Sequence, residues 1–265
     1  MSAQTARQIG RATTIDEVLQ QLDDIIARSI RERSRLGYFA ALYRKVTAKV
    51  KEGIAQGRFE DGPRMERFDV TFANRYLTAL EQFHRGERPT PCWLASFKAA
   101  EAWRPIILQQ LLLGMNAHIN FDLGITAAEI APGDALPSLA HDFNEINIIL
   151  AGLVAQVQAE IYEVSPWIRL LGSIDPKADT AIVNFSMDKA RECAWKVATR
   201  LAPINPDQWK PHLNLLDVEV TLLANLVRNP IGLIFKLGLF VIRGRESNNV
   251  AKVIEVLCQT PTAGV

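Results

Sequence analysis

The chain has 265 residues, 48% of them hydrophobic, and its 30 Lys plus Arg nearly balance 29 Asp plus Glu. That composition supports a substantial core and excludes both a disordered chain and the overall basic charge of a nucleic-acid binder. Cys92, Cys193 and Cys258 are too few and too widely spaced for a disulfide framework, and residues 1–14 lack the apolar stretch of a secretory leader, so cytoplasmic residence is the expectation.

Apolar residues recur at spacings of three and four along nearly the whole chain, without runs of alternating β-branched residues, which predicts an all-α fold. The expectation is a single-domain multi-helix bundle over 1–265, with a flexible N-terminus at 1–13. Thr14-Ile15-Asp16-Glu17 has the form of a capping box and opens a helix to about residue 33. Its Arg28, Arg31, Arg33 and Arg35 are interleaved with Asp23, Asp24 and Glu32, the pattern of a solvated face. A second helix covers 36–56 and stops at Gly57, a third starts at Pro63 and runs to about 83, and Gly86, Pro89 and Pro91 break the chain before a shorter helix over 93–103. Pro105 opens a long, mostly buried central helix, about 104–129. Residues 131–137 form a loop, and Ser138 is the expected N-cap of a helix reaching 163. Beyond lie a short helix near Trp167, helices over 176–201 and 207–228, and two pieces around Ile234 and Val253. The apolar stretch 231–242 holds Lys236 and is shorter than the ~20 residues a membrane span needs, so it is expected to be a buried helix or the wall of a hydrophobic tunnel.

Asn116-Ala117-His118-Ile119-Asn120-Phe121-Asp122-Leu123 places four polar side chains inside the apolar central run. On an α-helix His118 and Asp122 share one line, and Asn116 and Asn120 share another on roughly the opposite side. Buried imidazole, carboxyl and amide groups need partners. His118 and Asp122 can form an acid–base pair or supply two ligands to one cation, and they can equally be a satisfied pair in a core. The next helix begins His141-Asp142-Phe143-Asn144-Glu145-Ile146-Asn147. A short loop predicts that it folds back beside the central helix, bringing His141, Asp142 or Glu145 toward Asp122 and Glu129, although acids also suit a helix N-terminus for its dipole. His84 fits the positive charge favoured at a helix C-terminus, and His212 gives no signal. Asp69, Asn74 and Arg75, and farther on Asn184 and Asp188 with Arg191 and Trp195, either line the same cavity or tie helices together. No GxSxG elbow, P-loop, GxGxxG, HExxH, paired CxxC or pair of Glu-x-x-His motifs is present, which disfavours serine-hydrolase, nucleotide-cofactor and di-iron chemistry.

Gly114, Ala117, His118, Ile119, Asn120, Asp122 and Leu123 resemble the G-x-x-A-H-I-N-x-D-L core of a family of uncharacterised, mainly bacterial all-helical proteins. The resemblance extends over about 36–160, through Phe39, Leu42, Tyr43, Val46 and Thr47, through Phe59-Glu60-Asp61 and Arg75-Tyr76-Leu77, and through Asp142, Phe143, Ile146 and Asn147. Gly114, His118 and Asp122 are also similar in spacing to the metal-binding helix of the zinc-dependent phospholipase C and P1 nuclease group. That group supplies a further histidine soon after the aspartate, whereas 123–129 holds none. The second resemblance therefore implies at most one divalent, zinc-like ion, held by His118, Asp122 and His141.

The expectation is an intracellular enzyme acting on a small apolar or lipid-like molecule in a pocket between the central helix and its successor. Either a single metal at His118, Asp122 and His141 assists hydrolysis, or Asp122 orients His118 for proton transfer while Asn116, Asn120 or Asn147 stabilises developing charge, as a cyclisation or isomerisation requires. The alternative is a non-catalytic ligand-binding or interaction protein in which the same residues form a structural polar network. No nucleic-acid partner and no membrane span are expected, and an oligomer is compatible with the sequence.

Overall fold

The computed structural model describes residues 10–170 and 187–259, apart from the side chains of Leu170 and Asp188. Helix α1 (Ile15–Glu32) begins where the Thr14 hydroxyl accepts the Glu17 N–H at 3.2 Å, while Glu17 reaches back to Thr13 rather than to Thr14. It ends at Arg33, in left-handed backbone. Helix α2 (Gly37–Ala55) follows, then α3 (Gly62–His84), whose first turn holds Pro63 and is capped by Asp61, which accepts the Arg64 N–H at 2.8 Å. Helix α4 (Pro91–Glu101) precedes the central helix.

The central helix has three parts that run on without a break: α5 (Ile107–Met115), a π-helical segment (Asn116–Leu123) and α6 (Gly124–Ile130). Its free N-terminal donors are met by an anion, as the helix dipole favours. Ile107 N–H donates to both carboxylate oxygens of Glu246, at 3.0 and 3.1 Å, and the Ser165 hydroxyl donates to the same carboxylate at 2.7 Å. Burial pushes the Glu246 carboxyl up to about 7 against the pull of these donors.

A 3-10 turn (Gly133–Leu139) leads into α7 (Ala140–Val164). Ser138 is not the N-cap the sequence suggests: its hydroxyl donates to Ala135 O and accepts from Arg64, and the helix opens at Leu139. A short 3-10 helix (Pro166–Leu170) follows. After the undescribed stretch come α8 (Met187–Leu201), a 3-10 turn (Pro206–Gln208), α9 (Lys210–Arg228), α10 (Leu233–Arg245) and α11 (Val250–Leu257). The expected start of α8 near 176 lies outside the described residues. The fold is all-helical, with no strand among the described residues.

The central helix is the hub. Helices α4, α8 and α9 pack on its π segment, α3 and α8 on α6, and α2 and α9 on α5, so its side chains are buried almost all round. Gly124 makes the α8 contact possible, since a Cβ there would stand 2.4 Å from Ala194 O and 2.8 Å from Val197 Cβ. Backbone cannot step aside as a side chain can. Gly124→Ala is therefore expected to cost about 1–3 kcal/mol through overpacking. The midpoint of urea unfolding reads this, and an unchanged midpoint would mean that α8 is not seated here.

Helix α10 departs from the expected buried helix. Phe235, Leu239 and Ile242 pack inward on Ile106 and Ile168, but Leu233, Ile234, Leu237 and Phe240 face outward, 57–73% exposed. Its apolar residues are numerous enough to cover two faces, and only one finds a partner among the described residues. No single helix among them is long and apolar enough to cross a membrane.

Candidate functional site

Helix α7 does not lie against the central helix as a short connection predicts. It runs along α2 and α11, and the space between it and the central helix is a cavity of about 460 Å³. Met115, His118, Ile119 and Leu123 form one wall, Ile146, Leu150, Leu153, Val157 and Ile161 of α7 the opposite one, and α2 and α3 contribute Phe39, Tyr43, Val46, Phe68, Asp69 and Phe72. The lining is almost wholly apolar and of a size that takes a small organic molecule. Gln158, Tyr162 and Arg169 supply a polar edge, with the Arg169 guanidinium over the Tyr162 ring at 4.4 Å.

His118 is buried at 3% exposure inside a cage of aromatic rings. It stacks on Phe72 at 3.6 Å between centroids and 10° between planes, and meets Tyr43 edge-on at 4.4 Å and Phe39 at 5.7 Å. Gly114 lets Phe39 approach, because a Cβ there would stand 2.5 Å from its ring. The imidazole is engaged on one side at most: Nδ1 faces Asp122 Oδ2 at 3.6 Å, and Nε2 meets no hydrogen-bond partner among the described residues. Burial pushes the His118 pKa down, with Asp122 opposing, so the ring is neutral at physiological pH.

Asp122 faces two ways. Its Oδ2 accepts the Trp93 indole N–H at 2.9 Å, and the side chain borders not the apolar cavity but a separate polar cleft of about 320 Å³ shared with Asn74, Arg75, Gln82 and Glu129. The His118–Asp122 pair thus stands between a greasy cavity on one side and a polar cleft on the other.

Three further buried polar groups sit at or beside the cavity: the Tyr43 and Thr47 hydroxyls, which face each other, and Asp69 Oδ2, which has no hydrogen-bond partner among the described residues. Burial, reinforced by Glu66, lifts the Asp69 carboxyl from an ordinary 3.8 to about 7. Burial also raises the Tyr43 phenol well above its usual value, with the Asp69 charge acting in the same direction and Thr47 opposing. Together with His118 these form a cluster of buried polar groups in an apolar setting. The sequence marks Asp69 only as one of several cavity-lining possibilities. Tyr43 and Thr47 carry only the family resemblance in the sequence, although their spacing of four puts both on one face of α2.

The other residues singled out from the sequence serve different ends. Asn116 donates to Val220 O at 2.9 Å and accepts from Asn120 at 2.9 Å, so both amides fasten α9 to the π segment and turn away from the cavity. Asn147 accepts from Arg191, whose guanidinium also donates to Phe143 O and lies over the Phe143 ring. Asn74 exchanges two hydrogen bonds with the Ala12 backbone, and Arg75 pairs with Glu129 at 2.7 Å. Asn184 lies outside the described residues, as does the side chain of Asp188.

His141 is not brought to His118. Its side chain is 58% exposed, 3.8 Å from Glu60 and 3.6 Å from Asp142. Asp142 is already engaged: it accepts Glu60 N–H at 2.7 Å, Asp61 N–H at 3.2 Å and Arg64 at 2.9 Å. Burial alone would raise its carboxyl, but these donors hold it below its ordinary range. Glu145 pairs with Arg58. The polar start of α7 therefore docks on the loop between α2 and α3. The described residues do not fit a zinc-like ion at His118 and Asp122: no third His, Cys, Asp or Glu joins them at ligand spacing, and aromatic rings fill the space a tetrahedral set would occupy.

The π segment coincides with the motif. Eight consecutive residues, Asn116–Leu123, carry the wider turn, and π-helical turns are frequent at functional sites because they redirect side chains that an α-helix would stack. Here His118 is left beside the cavity and Asp122 beside the cleft. No curated protein and no solved structure matches the chain. A family model matches residues 15–230, which include every residue of this cluster, and the chain belongs to that family, a family of unknown function (DUF5995).

Proposed function

We propose that the protein is an enzyme that binds a small, largely apolar carbonyl compound in the interhelical cavity and isomerises it by acid–base chemistry. One observation carries this reading: the Nε2 of a buried imidazole, whose Nδ1 faces Asp122 at 3.6 Å, has no hydrogen-bond partner among the described residues while the ring borders an apolar cavity of about 460 Å³. Leaving a buried polar group without a partner costs about 1–3 kcal/mol, and a chain that retains such a group gives it a partner that is not part of the chain.

Neutral His118 is the base. The C–H bond next to the carbonyl breaks, its proton passes to the imidazole and the electron pair moves onto the carbonyl oxygen. The Tyr43 hydroxyl, buried beside that of Thr47, donates to that oxygen as charge develops. The proton then returns to a different carbon, so atoms and charge balance without a further reactant. Asp69, titrating near neutrality, is placed to supply or hold a second proton. Asp122 steadies the transient imidazolium, and the polar cleft beyond it gives protons a route to solvent.

The test begins with solvent extraction and mass spectrometry of the purified protein to identify the bound molecule. That molecule is then incubated with protein in deuterium oxide. The parent is expected to introduce deuterium at the carbon next to the carbonyl, and His118→Gln to bind it and introduce none. Binding without exchange by the parent would make the protein a carrier and end the catalytic reading.

A further inference from the structure

We infer that α10 and the adjoining end of α9 form a platform that docks in the plane of an anionic phospholipid surface. On α9, Leu215, Val218, Leu222 and Leu226 are 52–59% exposed, and on α10 Leu233, Ile234, Leu237 and Phe240 are 57–73% exposed. These spacings put an apolar stripe on each helix, continuous through Ile231, itself 87% exposed. An apolar surface of this extent, uncovered by any described residue, marks an interaction face.

Charge decides what covers it. From Leu215 to Arg245 the sequence has four basic residues, of which Arg228, Lys236 and Arg245 are exposed, and two acids at the far end of the patch, Asp217, which is buried, and Glu219, which is exposed. A second copy docking the same face on itself would bring three exposed cations of each copy together with only Glu219 to pair them. Anionic headgroups supply that charge, and an apolar stripe flanked by basic residues is the composition of helices that lie in a bilayer interface. Two indoles border the patch, as amphipathic rings do at that depth. Trp103, 51% exposed, packs edge-on against Phe240 at 5.7 Å, and Trp167 lies under Arg245 at 4.8 Å.

Length and packing fix the orientation. The 13 residues of α10 span about 20 Å, short of the ~30 Å hydrocarbon core, and the helix meets α9 at a bend of 72°. The two helices together are long and apolar enough for a bent span, but α9 is packed on α4 and the π segment, so the pair lies along the surface. The inner face of α10 packs beside Leu108, Ile161, Tyr162 and Ile168, which also line the cavity, so a lipid-like substrate has a short apolar path from the bilayer. That path rests on the proposed function; surface docking itself does not.

The experiment is co-flotation of the full chain with vesicles of equal parts phosphatidylglycerol and phosphatidylcholine at low salt. The parent is expected to float with the vesicles, and the double variant Leu237→Glu/Phe240→Glu, with an unchanged circular dichroism spectrum, to stay behind. Lys236→Glu/Arg245→Glu is expected to lower partitioning at least about fivefold, the equivalent of about 1 kcal/mol for one basic residue near an anionic surface. A parent that stays behind, a Leu237→Glu/Phe240→Glu protein that floats equally well, or a dimer in sedimentation that this variant dissolves while vesicles leave it intact overturns the inference. The readout is partitioning, so its failure leaves the deuterium experiment to judge the chemistry of His118 separately.

Discussion

His118→Phe is expected to unfold at a higher urea concentration than the parent while losing the proposed proton transfer altogether. The imidazole stacks on Phe72 and meets Tyr43 and Phe39 edge-on, contacts that a phenyl ring keeps. What the substitution removes is a buried Nε2 without a partner, costing about 1–3 kcal/mol, and an Nδ1 whose contact with Asp122 is long at 3.6 Å, while Asp122 retains its hydrogen bond from Trp93. The adjoining cavity takes up the extra ring volume, so overpacking is slight. A net gain of about 1–3 kcal/mol follows, read as a higher midpoint with an unchanged slope. The acid limb changes as well. The folded pKa of His118 lies below its ordinary 6.5, so below that pH the unfolded chain binds a proton the folded one resists, and parental stability falls as pH drops. The Phe variant lacks this loss. A destabilised variant would show that the ring is held by Asp122 as part of the scaffold, and the catalytic reading would fall with it.

The backbone plan was legible in the sequence because it rests on short-range physics. Thr14, Gly57, Pro63 and Gly86 mark helix ends by capping and by φ, and the apolar density of the central run announces its burial. The π segment was not legible, because a wider turn is held in place by α4, α8 and α9 packing around it, all distant in sequence. The same limit explains the polar residues. His118 reads as anomalous in any register, but whether its partner is a protein atom or a void depends on where α7 runs. Arg58 and Arg64 decide that by drawing Glu145 and Asp142 toward the loop between α2 and α3. Tyr43 was hidden by its company, since an aromatic residue among Phe68, Phe72 and Tyr76 reads as core until a cavity is found beside it, whereas Asp69 was marked as a possible cavity residue that could equally tie helices together. Helix α10 misled for the converse reason. Hydropathy counts apolar residues without saying how many faces of the helix will find a neighbour.

Asp69→Asn is expected to remove a pH dependence that runs opposite to the one set by His118. The carboxyl is 6% exposed, its Oδ2 has no hydrogen-bond partner, and its pKa rises from 3.8 to about 7. Between those two values the folded chain carries a proton that the unfolded chain has lost, so stability falls as pH rises through this window. Below it both states are protonated and the full stability is present; above it both are ionised and the loss is complete. Roughly three pKa units correspond to a cost on the order of 4 kcal/mol at pH 8. Glu246, raised to about 7 at the head of the central helix, bends the parental curve in the same window, so the diagnostic quantity is the difference between variant and parent at each pH. That difference is expected to be near zero at pH 4, to grow through neutrality in favour of Asn, and to level off above about 7. A flat difference would place Asp69 in contact with water and remove it from the site. A rising one means the chain accepts a penalty at its working pH to keep an ionisable carboxyl beside an apolar cavity. Packing gives no reason for that choice when a neutral amide fits the same space, whereas a proton held near neutrality on the wall of the cavity that His118 and Tyr43 also line does.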